Sequence, residues 1–213
     1  MTGPGVHEFD AKLTTELLSE LDQRLRVRGV AAAVFVVGGA AIAATGIRAG
    51  RLTQDVDALT RDPAVLEEAS AIAVERGLTP HWLNATAAMW MPPLPTGVLD
   101  PPSEPGLRVT YADEGFLFAT KLVAQRAKDA QDLRDLAARL GMATATGADL
   151  EQHIRSYYTD RDMLEFILRG NDIDTELTLL ADDASRMLQR THRSLPPDPP
   201  RAVPRNEPPS LGF

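Results

Sequence analysis

The sequence predicts an α+β fold in which a small β-sheet is flanked by helices and followed by a helical C-terminal part and a loose tail. Residues 30–37 (VAAAVFVV) form a continuous apolar run, which is typical of a central strand buried on both faces. Residues 9–28 and 114–140 instead place apolar side chains at helical spacing between charged ones. Seven of the 16 prolines lie in residues 195–213, where almost no side chain could join a core.

The N-terminal part of the chain supplies most of the predicted sheet. Along the chain we expect a helix at 9–28, a strand at 30–37, a Gly38-Gly39 turn, a short helix at 40–45, a strand at 51–59 and a helix at 63–76. The strand at 51–59 (RLTQDVDAL) is predicted from its alternating apolar members. The next helix begins at Pro63, which is favoured in a first helical turn, and ends at Gly77.

The remaining chain is predicted to be mainly helical. A Pro-rich loop at 92–105 precedes a strand at 107–111, a helical block at 114–140 that divides near Lys128, and further helices within 148–190 with breaks near Thr159 and Gly170. We therefore expect an α+β domain at 1–140, a helical C-terminal region at 141–192 and a Pro-rich disordered tail at 193–213.

Composition is that of an ordinary soluble globular protein, with 44% apolar and 24% charged residues. The absence of cysteine excludes a disulfide framework, a zinc–thiolate site and a thiol nucleophile. Residues 30–47 carry no charge over a length near that of a membrane span, but the Gly-Gly pair divides them into a strand and a helix. Because no secretory signal precedes them, we expect a cytoplasmic protein without membrane contact.

The formal net charge of −8 does not favour a nucleic-acid surface. Any contact with RNA would need a local basic patch, drawn for example from Arg24, Arg26, Arg28, Arg48 and Arg51. The plainer interpretation of these arginines is a solvated surface of helices and loops.

The segment that carries chemistry joins the first two predicted strands. On a strand, residues two apart point to the same side, so Asp55 and Asp57 are predicted to project together. Two neighbouring carboxylates repel each other unless a divalent cation lies between them, and their oxygens suit Mg²⁺, which also binds the phosphates of a nucleotide. The turn at Gly38 and Gly39 would let backbone N–H groups approach those phosphates. The pattern predicts an NTP and one or two Mg²⁺ ions, with Asp55 and Asp57 as metal ligands.

This segment resembles the Gly-Gly…Asp-x-Asp motif of the polymerase-beta-like nucleotidyltransferase superfamily. In the form Arg51-x-Thr53-x-Asp55-x-Asp57 it is similar to the AbiEii and MenT-type toxin nucleotidyltransferases and to the bacterial domain of unknown function DUF6036. The resemblance implies a small mixed β-sheet nucleotidyltransferase core flanked by helices. It also implies that the glycine pair and Arg51 bind the nucleotide, and that Thr53 touches it or is a point of regulatory phosphorylation.

A second segment, FLFATKLVAQRAKDAQDLRDL, resembles a later motif of the family, in which a helix with Lys and Arg leads into an Asp-rich helix start. The resemblance implies that Lys121 neutralises triphosphate charge, that Arg126 binds the nucleotide and that an aspartate completes the site. Of Asp129 and Asp132, we favour Asp132 as this catalytic residue. On a continuous helix, Lys121, Gln125 and Asp132 would share one face.

Two features depart from the family pattern. The strand at 107–111 carries no third carboxylate, and Asp113 after it is expected to cap the following helix. The acidic residue that often follows the Trp82-Leu83-Asn84 position is Ala85 here. The metal site is therefore expected to have only two protein ligands.

Plainer interpretations of the same residues stay open. Asp55 and Asp57 could be surface acids on an edge strand, the glycine pair a tight turn, and Thr53 an ordinary strand residue. Lys121 and the aspartates after it could be solvated, and Arg126 could form a salt bridge. The four histidines show no metal-ligand spacing, and both tryptophans are expected in core or loop packing.

The sequence thus predicts a Mg²⁺-dependent nucleotidyltransferase that transfers a nucleoside monophosphate from an NTP to an acceptor. By resemblance to the toxin members, the acceptor would be the 3′ end of tRNA and a cognate antitoxin would be a partner. One alternative is a small-molecule nucleotidyltransferase, for example one that modifies a hydroxylated antibiotic, because the acidic C-terminal helices suit a cationic acceptor better than RNA. The other is a non-catalytic binding module or antitoxin that keeps the fold.

Overall fold

The computed structural model describes residues 8–48, 50–168 and 172–194, with only the backbone given for the last four. It is an α+β structure, as predicted. The helices are α1 (Ala11–Arg28), α2 (Gly38–Ala44), α3 (Pro63–Arg76), α4 (Glu114–Ala124), α5 (Ala130–Arg139), α6 (Gly147–Tyr157), α7 (Arg161–Leu168) and α8 (Ile173–Ser194). The strands are β1 (Ala31–Val36), β2 (Val56–Leu59), β3 (Leu83–Asn84) and β4 (Gly106–Tyr111).

The four strands form a mixed sheet in the order β3-β2-β1-β4. The central strand β1 is antiparallel to β2 and parallel to β4, and the short β3 is parallel to β2. Almost every side chain of β1 is buried, as its continuous apolar run predicted. The sheet places the end of β1 beside β2, and this junction carries the candidate site.

Side-chain caps fix the starts of several helices. Asp10 accepts a hydrogen bond from the backbone N–H of Leu13, and Asp62 accepts one from Ala64. Asp113 accepts one from the N–H of Phe116, which confirms the predicted cap of α4. Thr146 and Asp149 form a reciprocal capping box at the start of α6.

The helices share one hydrophobic core with the sheet. α1 packs against β1, β4, α2 and α3, while α4 packs against α5, α6 and α8. The edge of Phe116 in α4 meets the rings of Phe35 in β1 and Tyr157 in α6. Because α4 contacts both the sheet and the C-terminal helices, it ties the two predicted regions into one cluster of buried residues.

Three predicted elements differ in detail. The second strand is shorter than 51–59, because Thr53 instead forms an isolated antiparallel bridge with Phe9, where the first helix was expected to begin. The Gly38-Gly39 pair opens α2 and does not form a separate turn. Three short elements were not predicted, namely β3 and the 3₁₀ helices at Thr86–Trp90 and Ala127–Asp129.

The helical block at 114–140 is divided, as expected. α4 ends where Gln125 adopts a left-handed conformation with φ of 42°, and a 3₁₀ turn at Ala127–Asp129 leads into α5. Since no continuous helix exists, Gln125 does not share a face with Lys121 and Asp132, and its side-chain amide donates to the carbonyl of Leu180 at 2.9 Å. The expected break near Thr159 is present between α6 and α7.

Two predictions fall partly or wholly outside the described residues, namely the break at Gly170 and the disordered tail at 193–213. The first two residues of that predicted tail, 193 and 194, are instead the helical end of α8. In the part of the chain that the structure describes, none of the helices is both long and apolar enough to cross a membrane.

Candidate functional site

One cavity of about 520 Å³ collects the residues singled out from the sequence. All predicted site residues except Asp132 line it: Gly38, Gly39, Arg51, Thr53, Asp55, Asp57, Lys121 and Arg126. They come from the start of α2, from β2 and the segment before it, and from the end of α4 with the chain that follows it. Its volume lies in the range of small-molecule sites in proteins.

The acidic wall of this cavity consists of Asp55 and Asp57. Asp55 directly precedes β2, and Asp57 is the second residue of that strand. The backbone carbonyl of Asp57 accepts a hydrogen bond from the N–H of Val37 at 2.9 Å. Partial burial raises the pKa of Asp57 from 3.8 to about 6, and the charge of Asp55 adds to this rise. A cation between the two carboxylates would relieve both effects.

Asn84 fixes the orientation of Asp55. Its register partner across the parallel β2–β3 pair is Asp57, and its side-chain amide donates to Asp55 Oδ2 at 3.2 Å. The Asn84 carbonyl oxygen in turn accepts a hydrogen bond from the backbone N–H of Thr86 at 3.0 Å. Among the described residues no other hydrogen bond to the Asp55 side chain is present, and Asp55 lines the cavity. In the sequence, Asn84 belongs to a segment that resembles the family pattern, but nothing there indicates a role for it.

The glycine pair allows close packing around the acidic wall. Gly38 has φ of 63°, and a Cβ atom there would lie 2.9 Å from Asp57 Oδ2. A Cβ atom on Gly39 would lie 3.0 Å from Thr53 Oγ1 and 3.1 Å from a guanidinium nitrogen of Arg51. Larger residues would thus displace the side chains that line this part of the cavity.

A cluster of ion pairs around the buried Asp132 supports the cavity, and we call it the Asp132 cluster. Its members are Arg48, Arg51, Lys121, Asp129 and Asp132. The fully buried Asp132 carboxylate lies 3.0 Å from Lys121 Nζ, 3.1 Å from an Arg48 nitrogen and 3.2 Å from Arg51 Nε. Lys121 is only 6% exposed and also pairs with Asp129 at 2.9 Å.

Asp132 differs from Asp57 in its electrostatic state. Burial alone would raise its pKa, but the charge and hydrogen bond of Lys121, together with Arg51, outweigh that effect and hold the pKa below its usual value. The structure places Asp132 behind the cavity lining, whereas Asp129, the alternative left open by the sequence, reaches the cavity. Asp132 therefore contacts the site only through Lys121 and Arg51.

Two cations in the cavity wall are not neutralised. Arg126 and Lys128 lie in the segment between α4 and α5, both are exposed, and within the described chain neither forms an ion pair. Their charges, with that of Lys121, act to lower the pKa of Asp57 and so partly oppose its rise. Lys128 was named in the sequence analysis only as a point of division between helices, because nothing local shows that it faces the acidic wall.

A second group of lining residues is apolar and aromatic, and we call it the apolar side of the cavity. It is formed by Ala87, Trp90, Met91, Val123, Ala124, Tyr158 and Ile167. Trp82 is fully buried and donates to the Ala69 carbonyl at 2.8 Å, so it is a core residue as expected. Trp90 is only half-buried and contributes to the cavity. The two tryptophans therefore occupy different environments, which the sequence did not distinguish.

The arginines considered for an RNA patch are paired with acids. Arg24 bonds Glu20 and Glu75, and Arg28 lies within ion-pair distance of Glu67 and Glu68. Arg26 bonds Asp22. These pairs lie on α1 and α3, and they support the interpretation of a solvated, charge-balanced surface.

The donor set suits a metal ion that a substrate helps to hold. No group of three or more His, Cys, Asp or Glu side chains that could hold a metal occurs among the residues described. Asp55 and Asp57 offer two carboxylates, and β4 carries no acid beside them. Mg²⁺ commonly binds through one or two carboxylates plus phosphate oxygens and water, so the residues present fit it.

Comparisons of the chain with protein-family models, with curated proteins and with solved structures find no match. The family resemblance therefore rests on the residues quoted from the sequence.

Proposed function

We propose that this protein is a Mg²⁺-dependent nucleotidyltransferase that transfers a nucleoside monophosphate from an NTP to a hydroxyl acceptor. One observation carries the proposal: Asp55 and Asp57 share a cavity with Arg126 and Lys128, and none of these four side chains forms an ion pair with another described residue. An NTP with Mg²⁺ bears both kinds of charge, since its metal needs carboxylates and its phosphate oxygens need cations.

In the proposed reaction, the acidic residues of the cavity would bind the metal ion and the basic residues would contact the triphosphate. Asp55, held by Asn84, and Asp57 would bind Mg²⁺, which polarises the α-phosphate and neutralises its developing charge. Arg126 and Lys128 would contact the triphosphate. In this proposal Lys121 and Arg51 act as a positive wall, and Asp132 is a positioning residue that fixes both of them.

The proposed reaction exchanges one phosphorus–oxygen bond for another. The acceptor hydroxyl oxygen forms a bond to the α-phosphorus while the bond from that phosphorus to the bridging oxygen of the β-phosphate breaks. Pyrophosphate leaves with the electron pair of the broken bond, and the hydroxyl proton is released to solvent. No oxidant or reductant is needed.

The acceptor is the less constrained part of the proposal. The family resemblance favours the 3′ end of tRNA, with a cognate antitoxin as partner, and an enzyme that uses NTP would act in the cytoplasm. The charge-paired arginines of α1 favour the second candidate, a small hydroxylated acceptor, because they leave no bare basic surface for RNA on that helix. A non-catalytic binding module is the alternative to both.

A labelling assay tests the proposal. The protein would be incubated with Mg²⁺, each α-labelled NTP in turn, and either total tRNA or a panel of hydroxylated small molecules. Asp55→Asn and Asp57→Asn should each reduce label transfer at least about 100-fold, because charge stabilisation of the transition state would be lost. Glu67→Gln, a surface change on α3, should leave transfer unaltered. NTP binding without transfer to any acceptor would favour the binding module.

A further inference from the structure

The apolar side of the cavity is built around Trp90. Its ring stacks on Phe166 of α7 with ring centroids 5.4 Å apart and planes inclined by 24°. Its carbonyl oxygen accepts a hydrogen bond from the buried Tyr158 hydroxyl at 2.9 Å. Trp90 is thus held by Phe166 of α7 and by Tyr158, the residue that follows α6, and it lines the cavity.

This side of the cavity offers contact area with few hydrogen-bonding groups. Ala87, Met91 and Ile167 contribute apolar side chains, and the one hydroxyl among its aromatic residues, that of Tyr158, is already bonded to Trp90. Burial also raises the pKa of Tyr158 well above its usual value, so the hydroxyl stays protonated. A ligand group bound here would be recognised by stacking and apolar contact.

The polar and apolar sides are joined by one short segment. Asn84 contacts Asp55, the N–H of Thr86 bonds Asn84, and the 3₁₀ helix that begins at Thr86 ends at Trp90. A molecule with its charged part at Asp55 and Asp57 would therefore extend its other end along Thr86–Trp90. In an NTP, that other end is a planar aromatic base.

We propose that Trp90, backed by Phe166, is the stacking surface for the nucleobase of the NTP, and that this site binds all four bases with similar affinity. The inference rests on the proposed function, because it assumes a triphosphate at the acidic wall. Stacking on an aromatic side chain tolerates any base, since every base has a π-face. The C-terminal helices would then take part in nucleotide binding through Tyr158 and α7.

Equilibrium binding with a matched pair of variants tests this inference. ATP, GTP, CTP, UTP and inorganic tripolyphosphate would be titrated, each with Mg²⁺, into the full chain and into Trp90→Ala and Met89→Ala. Met89 is the control because it lies on the same 3₁₀ helix, is 56% exposed and is not part of the cavity lining. Trp90→Ala should weaken all four NTPs by about 5- to 100-fold and leave tripolyphosphate unchanged. Met89→Ala should change none of them.

Tryptophan fluorescence gives a second readout that does not depend on the alanine variant folding. The chain has two tryptophans, and Trp82 is fully buried. NTPs should quench the emission of the native protein, tripolyphosphate should not, and Trp90→Phe should lose the quenching while it keeps NTP affinity within about threefold, because a ring remains.

The outcomes separate this inference from the proposed function. Unchanged NTP affinity in Trp90→Ala, or NTP binding without quenching, would overturn the stacking site and leave the triphosphate site standing. A strong preference for a single base would contradict recognition by stacking alone. If neither tripolyphosphate nor any NTP binds, the proposed function fails as well.

Discussion

Asp57 is partly buried and Asp132 fully buried, and both lie near Lys121, yet the pKa values of the two carboxyl groups are shifted in opposite directions. Burial and the neighbouring Asp55 raise the pKa of Asp57 to about 6. Burial also acts on Asp132, but Lys121 and Arg51 outweigh it and its pKa is lowered. Lys121 and Arg51 form ion pairs directly with Asp132. The cations that lower the pKa of Asp57, which include Arg126 and Lys128, form no ion pair with it among the described residues and lie elsewhere in the cavity lining.

The difference separates a structural charge from a functional one. A buried carboxylate that is paired with cations of the protein contributes to the stability of the fold. Its removal leaves those cations buried without a counter-charge, which is strongly destabilising. A carboxylate left without a partner in a cavity costs stability until a ligand compensates it, which is typical of functional sites. Substitutions of the two aspartates should therefore act in opposite directions.

The largest expected effect on stability comes from Asp132→Ala. It leaves Lys121 and Arg51 without their shared buried partner, so we expect a loss of about 3–5 kcal/mol in the free energy of unfolding. Urea denaturation followed by circular dichroism measures it. Asp135→Ala on the same helix should cost less than about 1 kcal/mol, because its carboxylate accepts only an exposed hydrogen bond from Gln131. Equal losses in the two variants would show that the Asp132 cluster is not specially important.

Asp57→Asn should instead stabilise the protein at pH 7.5. A pKa raised from 3.8 to about 6 corresponds to a penalty of about 3 kcal/mol for the ionised group, and asparagine removes that charge. Urea denaturation followed by circular dichroism would measure the increase in the free energy of unfolding. A destabilised Asp57→Asn variant would mean that the carboxylate has a structural partner after all.

The pH dependence of this gain follows from the same shift. A carboxyl group with a raised pKa binds its proton more tightly in the folded state, so it does not destabilise that state below about pH 4. As the pH rises from about 4 to about 6, ionisation lowers the stability of the native protein relative to Asp57→Asn, and above about pH 6 the difference is constant. A difference that does not vary across this range would contradict the raised pKa.

Asn84→Ala should have the smallest effect and should act on metal binding. The substitution removes the hydrogen bond that orients Asp55, while both proposed metal ligands remain. Loss of a residue that positions a metal ligand typically lowers metal affinity 10- to 100-fold. Mg²⁺ titration monitored by thermal unfolding compares it with native protein. Thr86→Val removes only the side-chain hydroxyl next to Asn84 and is the milder control.

Much of the fold follows from local patterns in the sequence. The apolar run before Gly38, the prolines and the capping aspartates act within a few residues of their own position, and β1, α3 and α4 lie where these patterns predict them. The break at Gln125 could not be placed, because its amide bonds the Leu180 carbonyl on α8, far away in sequence. The two-residue β3 is too short to show any alternation.

The candidate site was predictable only in part for the same reason. The motif identified Asp55, Asp57 and the glycine pair as candidate site residues, and in the structure all four line one cavity. Helical spacing, however, treats Asp132 as one of several surface acids, although three cations from other segments bury it. Trp90 is equally ambiguous in sequence, since its role depends on contacts with Tyr158 and Phe166.

The most direct test of the account is the coupling of Mg²⁺ and NTP binding at Asp55 and Asp57. Isothermal calorimetry would titrate a non-hydrolysable NTP into the native chain and into Asp55→Asn/Asp57→Asn, each with and without Mg²⁺. The account predicts that Mg²⁺ strengthens NTP binding at least tenfold in the native chain and not in the double variant, because only paired carboxylates hold the ion. Equal Mg²⁺ dependence in both proteins, or no NTP binding to either, would contradict it.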